Sequence, residues 1–216
     1  MGGGLARAEG ARHMTKGGLH GRVRHLFRKM RGGSAMMRPG HPHPDAWQAF
    51  ATNFHLTNFI RDDVRANPRD PKAWAVLIGF RVAQGALLRL PKAMALFFVI
   101  PYRIFSEWLL GIELRPKTIV GSGLTIFHGY GLTINDHSII GSNVVLRNGV
   151  TIGHQRPGGR SPVVEDQVQV GASALILGPI TVGEGAQIGA GAVVVTDIPA
   201  RAVAIGNPAK VRGAST

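Results

Sequence analysis

The stretch from Leu124 to Asn135, LTIFHGYGLTIN, holds an imidazole where one is not expected. Apolar and small residues alternate as in a half-buried strand, and His128 interrupts them beside two glycines. Imidazole exchanges its proton near neutral pH, so a histidine presented at a surface groove can take a proton from a hydroxyl nucleophile. A histidine in a strand is more commonly a satisfied or solvent-facing side chain. The elements that would carry His128 therefore have to decide between the two.

Other chemistries are thinly represented. HGYG is similar to the HGGG stretch that contributes to lipase oxyanion holes, but the accompanying G-x-S-x-G elbow is absent. There is no Walker A motif and no HExxH, and no metal site is expected. The chain has no cysteine, which excludes disulfides, cysteine-ligated zinc and a covalent cysteine intermediate. His137 and His154 remain as accessory histidines, the second opening a loop after Gly153.

The elements around His128 repeat. Leu114, Val120 and Ile126 are six residues apart, and so are Ile134, Ile140, Leu146 and Ile152 after a two-residue shift. Beyond a loop the spacing returns with Val164, Val170, Ile176, Val182, Ile188 and Val194. Six of these thirteen are followed directly by glycine: Gly121, Gly141, Gly153, Gly171, Gly183 and Gly189. A six-residue period fits neither a helix face nor an alternating strand. It fits a short strand and a bend, repeated and stacked at the ~4.8 Å strand spacing, with one aliphatic side chain inward each time. Glycine would supply the unusual backbone angles or the close approach that the bend needs.

Before the repeats, residues 45–111 read as helical. Trp47, Phe50, Phe54 and Phe59 recur near helical spacing, with Asp45 as the N-cap. A second helix is expected after Pro71 and a third after Pro91, interrupted at Pro101 and resuming to Gly111. The apolar run Leu96–Ile100 is too short to span a bilayer, for which ~20 residues are needed. Packing between helices or subunits is the expected role, with a peripheral membrane contact as the other possibility.

Of the +13 formal charge, +8 falls in residues 1–44, which hold nine Lys/Arg, one acidic residue and ten glycines. With one aromatic, Phe27, this segment cannot bury enough apolar surface to order itself and reads as a disordered basic tail. Nucleic acid is not an expected partner, because nothing aromatic is interleaved for base stacking. No apolar segment follows the basic residues as in a secretory signal.

The six-residue period, with GIELRP, IFHGYGLTIN, GVTIG, GPITVGEGAQIGAGAVV and IGNPAKVR in that order, resembles the hexapeptide-repeat acyltransferases. Within them the chain is similar to the serine acetyltransferase group, and HGYGLTIN with RNGVTIGH is closer to its colanic-acid, exopolysaccharide branch. The resemblance covers about residues 60–212. It implies a left-handed parallel β-helix over residues 112–216, of roughly five coils, in a homotrimer. It implies transfer of acetyl from acetyl-CoA to a hydroxyl, in the cytoplasm or at the inner face of its membrane.

By the same resemblance His128 is the general base, and Glu113 stands where an aspartate orients that base. The 15-residue separation puts the two on neighbouring coils. Phe127 replaces an acidic group that contacts the acceptor, Arg160 matches a substrate-contacting arginine, and Ser161 replaces a second histidine. These departures favour a sugar hydroxyl over L-serine as acceptor; a catalytically silent scaffold is the third reading. Gly153, Ala172 and Ala190 match positions that line the coenzyme groove, and Lys210 and Arg212 could meet its phosphates.

Overall fold

The computed structural model describes residues 44–214, so the tail read over residues 1–44 lies outside the described residues except for Pro44. Four α-helices open the described chain: α1 (Pro44–Asn53), α2 (Leu56–Ala66), α3 (Pro71–Arg89) and α4 (Lys92–Arg103). Helix α1 already begins at Pro44, so Asp45 lies in its first turn instead of capping it. The aromatic residues divide between two helices and the link joining them. Phe50, Phe54 and Phe59 close into one cluster with ring centroids 5.0–5.9 Å apart. Asp70 caps α3, its Oδ1 accepting from the Ala73 N–H at 2.9 Å, with Pro71 at the first helical position where its missing N–H costs nothing.

Pro101 does not interrupt the third helical segment as expected. It sits inside the last turn of α4, and the chain then widens into one π-helical stretch, Ile104–Leu109. The Ile104 N–H reaches the carbonyls of both Ile100 and Pro101. Widening of this kind absorbs the break that proline makes in the hydrogen-bond ladder.

From Ile112 the chain winds as a parallel β-helix of five turns. Turn one is β1 (Ile112–Leu114), β2 (Ile119–Val120) and β3 (Thr125–Phe127); turn two is β4 (Leu132–Ile134), β5 (Ile139–Ile140) and β6 (Val145–Arg147). Turn three is β7 (Thr151–Gly153), β8 (Val163–Val164) and β9 (Gln169–Val170); turn four is β10 (Leu175–Leu177), β11 (Thr181–Val182) and β12 (Gln187–Ile188). Turn five has β13 (Val193–Val194) and β14 (Ala202–Ile205), and β15 (Lys210–Ala214) folds back antiparallel on β14. Strands of the same rank stack in register, so Leu114, Ile134, Ile152, Ile176 and Val194 form one column.

All thirteen hexad residues are buried. A second inward position, two residues earlier, was not read from the sequence. Leu124, Val144, Val168 and Ala186 fill it at one corner, and Leu132, Val150, Ala174 and Ala192 at another. The glycines that follow the hexad residues do not take left-handed angles. Close approach is what they supply: a Cβ at Gly171 would stand 2.4 Å from the Ala190 amide nitrogen in the next turn.

The first turn has no coil beneath it, and an open sheet edge of this kind needs covering. Polar side chains of the helices do this. Tyr102 Oη donates to the Leu114 carbonyl and Gln84 Nε2 to that of Thr118. Arg81 donates to the carbonyls of Val120 and Gly121, and Asp63 Oδ1 accepts from the N–H groups of Gly123 and Leu124. Asn67 donates to the Leu124 carbonyl and accepts from the Ile126 N–H. Burial pushes the Tyr102 phenol pKa up, so it stays a donor.

Candidate active site

His128 occupies the corner between β3 and β4, in the left-handed region at φ 61°. Its side chain is exposed and makes no hydrogen bond or ion pair with any described residue. The corner itself is held from several sides. Its carbonyl accepts from the Tyr130 N–H at 2.5 Å, with Lys72 Nζ at 3.5 Å, and Gly131 N–H donates to the Gly111 carbonyl at 2.9 Å. Lys72, in the first turn of α3, also lies 3.3 Å from the centroid of the Tyr130 ring. That cation–π contact fastens the aromatic beside His128 to the helical region. Phe127, just before the corner, is exposed, with the Arg147 guanidinium 5.3 Å from its ring centre.

Glu113 does not meet His128. Its carboxylate takes Arg115 Nη2 at 2.7 Å, and the same guanidinium approaches Glu107 at 3.9 Å. Nor are Glu113 and His128 on neighbouring turns: Ile112 pairs with Leu132, so this turn takes twenty residues and contains both. Three six-residue repeats would take eighteen residues, and the two residues that appeared as a shift in the hexad spacing lengthen this turn.

The edge that carries His128 runs the length of the solenoid. Its successive corners are linked by backbone bonds from Gly149 N–H to Tyr130 O, Ser173 N–H to Asn148 O, and Gly191 N–H to Ala172 O. Val193 N–H then donates to Gly206 O, close before Lys210. Ala172 and Ala190 therefore stand on the same edge as His128, and Lys210 and Arg212 follow its far end on β15. From first corner to last is four coil spacings, about 19 Å. The small side chains leave that line open to an extended ligand, with cations at the end away from His128.

Gly153 departs from this grouping. It ends β7 and opens the corner one face away, where its carbonyl accepts from Gly178 N–H. It belongs with a second cluster built on Asn135, a residue missed in the sequence. Asn135 Oδ1 accepts from the His137 N–H at 2.9 Å and from Ser161 Oγ at 3.1 Å. Its Nδ2 must then face His154 Nδ1, 3.2 Å away, and donate to it. This fixes His154 as the tautomer with its proton on Nε2. Ser161 is thus engaged within the loop, and Arg160 beside it is exposed. The only sequence cue to Asn135 was its place before Asp136 at a strand end, a common turn pairing.

Asn135→Ala should loosen the loop without unfolding the solenoid. The expected result is faster tryptic cleavage after the exposed Arg160, and a stability loss of about 1–3 kcal/mol from the unsatisfied partners. Timed proteolysis beside thermal melting checks this; an unchanged cleavage rate would show that Asn135 does not hold the loop. No group of three or more His, Asp or Glu placed to hold a metal occurs among the described residues.

Comparison with known proteins agrees with the solenoid. The bacterial transferase hexapeptide (six repeats) model matches residues 161–196. A serine acetyltransferase of Mycobacterium tuberculosis is 40% identical over 113 residues, 51% of this chain and 49% of that one. Escherichia coli WcaB, named for acetyl transfer in colanic acid biosynthesis, is 32% identical over 157 residues, 70% of this chain and 97% of that one. Soybean serine acetyltransferase complexed with serine superimposes with a TM-score of 0.63 at 31% identity, over 76% of this chain and 72% of that one. The chain spans about half the length of the mycobacterial enzyme and nearly all of WcaB. It belongs to the hexapeptide-repeat transferase family, in the acetyltransferase group that joins the serine acetyltransferases with WcaB.

Proposed function

We propose that the protein transfers acetyl from acetyl-CoA to a sugar hydroxyl of an exopolysaccharide or its lipid-linked precursor. The observation that carries this reading is the exposed His128 imidazole at one end of an edge lined by Ala172 and Ala190 and followed by Lys210 and Arg212. Acetyl-CoA would lie along that edge with its phosphates toward the two cations and its thioester toward His128.

In the reaction the acceptor oxygen attacks the acetyl carbonyl carbon while His128 takes the hydroxyl proton. Collapse of the adduct breaks the C–S bond, and the imidazolium returns the proton to the departing thiolate. A chain without cysteine favours this direct transfer over a thioester on the enzyme. Glu113 would have to leave Arg115 to orient the imidazole, so we assign it an orienting role only in the substrate-bound state.

Phe127 and the loop-bound Ser161 support a sugar over serine, since neither supplies a charge to grip an ammonium or a carboxylate. The near-complete span of WcaB supports the same choice. L-serine is the second reading, favoured by the likeness to the serine-bound soybean enzyme. A homotrimer, with the groove shared between neighbouring chains, is part of the proposal, as is a cytoplasmic location. Release of free CoA with exopolysaccharide fragments and, separately, with L-serine tests the acceptor. Turnover with saccharide is expected; turnover with serine alone would overturn the sugar assignment.

A further inference from the structure

Helix α4 and the π stretch after it are apolar on both sides. Ala95, Val99, Tyr102 and Ser106 face the protein and are buried. Half a turn away Phe97, Ile100, Ile104 and Trp108 form a stripe of the same period, and all four are exposed, Phe97 at 77% and Trp108 at 85%. Met94 and Leu109 widen it. A helix apolar all round is one that something else covers. With Leu96 and Phe98, α4 and its π extension hold most of the exposed large hydrophobic residues of the described chain.

Charge distinguishes the candidates for that cover. The carboxylates of this segment, Glu107 and Glu113, are already taken. Glu107 is held by Arg103 through two bonds of 2.8 Å, which keep its pKa below the ordinary value, and Glu113 is held by Arg115. With Lys92 at the start of α4 and Lys117 beyond β1, residues 92–117 carry four Lys/Arg against these two carboxylates, an excess of positive charge. A second copy docking through the same segment would therefore bring like charge to the contact. An anionic lipid surface brings the opposite sign. An exposed tryptophan and phenylalanine flanked by Lys and Arg is also the composition of a helix lying in the headgroup boundary. Crossing is ruled out for this element, because no helix among the described residues is long and apolar enough to span a membrane.

We propose that the outer face of α4 and its π extension docks the protein on an anionic membrane surface, with Phe97, Ile100, Ile104 and Trp108 buried at the headgroup boundary. The inference does not depend on the acetyl acceptor. It would hold the solenoid at the bilayer whichever hydroxyl is acetylated.

The test uses the full chain with vesicles of phosphatidylcholine alone and of phosphatidylcholine with phosphatidylglycerol. Wild type should sediment with the anionic vesicles, and its tryptophan emission should shift to the blue. Phe97→Ser with Trp108→Ser should lower vesicle affinity by about a hundredfold or more, from the lost apolar burial, at an unchanged melting temperature and unchanged turnover on a soluble acceptor. Trp108→Phe should abolish the emission shift while keeping most of the binding. Equal sedimentation of wild type and the double variant would overturn the proposal, because the basic N-terminal residues would then suffice. So would a failure of wild type to bind, or self-association of wild type that the double variant abolishes without any vesicle binding.

Discussion

Replacing His128 by asparagine is expected to lower acetyl-CoA turnover by about 10²–10⁴, the usual worth of a positioned general base. Asparagine is the informative substitution because position 128 is left-handed, at φ 61°. Alanine there would add backbone strain of about 1–2 kcal/mol, whereas asparagine visits this region readily. The imidazole has no described partner to lose, so the melting temperature of His128→Asn should stay near that of wild type. Acetyl-CoA binding, measured calorimetrically, should also persist, because Ala172, Ala190 and the cations beyond them are untouched. Turnover within tenfold of wild type would remove His128 from the chemistry, whereas acetyl-CoA binding without turnover in either protein would support the silent-scaffold reading.

What the sequence could reveal of this site follows from where the constraints lie. The column of aliphatic residues was legible because each turn repeats the same burial at the same spacing. Leu114 and Ile134 announce each other, as do Val164 and Val182. The shared edge of His128, Ala172 and Ala190 matches the grouping expected from resemblance, while Gly153 stands at a different corner. Turn one spends twenty residues and turn three carries the 154–162 loop, so positions that match in a family pattern need not share a corner. Glu113 is paired away from His128 for a different reason. A carboxylate chooses among cations by distance, and Arg115, two residues along the same strand exit, reaches it first. Asn135 was invisible because its partners, Ser161 and His154, are brought to it by stacking and not by any local pattern.

The polar residues under the first turn were equally hidden. Asp63, Asn67, Arg81 and Gln84 were not singled out in the sequence, yet all four are buried and bound to backbone groups of the first turn. The Asp63–Arg81 pair is the centre of this arrangement, at 2.8 Å with neither side chain exposed. Asp63→Ala is expected to cost about 3–5 kcal/mol, the usual loss when one partner of a buried pair is removed. Urea unfolding followed by circular dichroism measures it. The double variant Asp63→Leu with Arg81→Met separates two explanations of that loss. An isolated buried ion pair can often be exchanged for apolar residues at no cost, since removing both charges also removes their desolvation. Here each partner also satisfies two backbone groups: Val120 and Gly121 carbonyls for Arg81, Gly123 and Leu124 amides for Asp63. Apolar replacements would strand all four in a dry interface, at about 1–3 kcal/mol for each group. The double variant should therefore remain as unstable as the single one, or become worse. Recovery to wild-type stability would mean that the sheet edge tolerates being uncovered. Persistent loss would mean that the helices are the end plate of the solenoid. In that case the same plate also supports the corner that carries His128, since Asn67 bonds the β3 backbone and Lys72 reaches the carbonyl of His128.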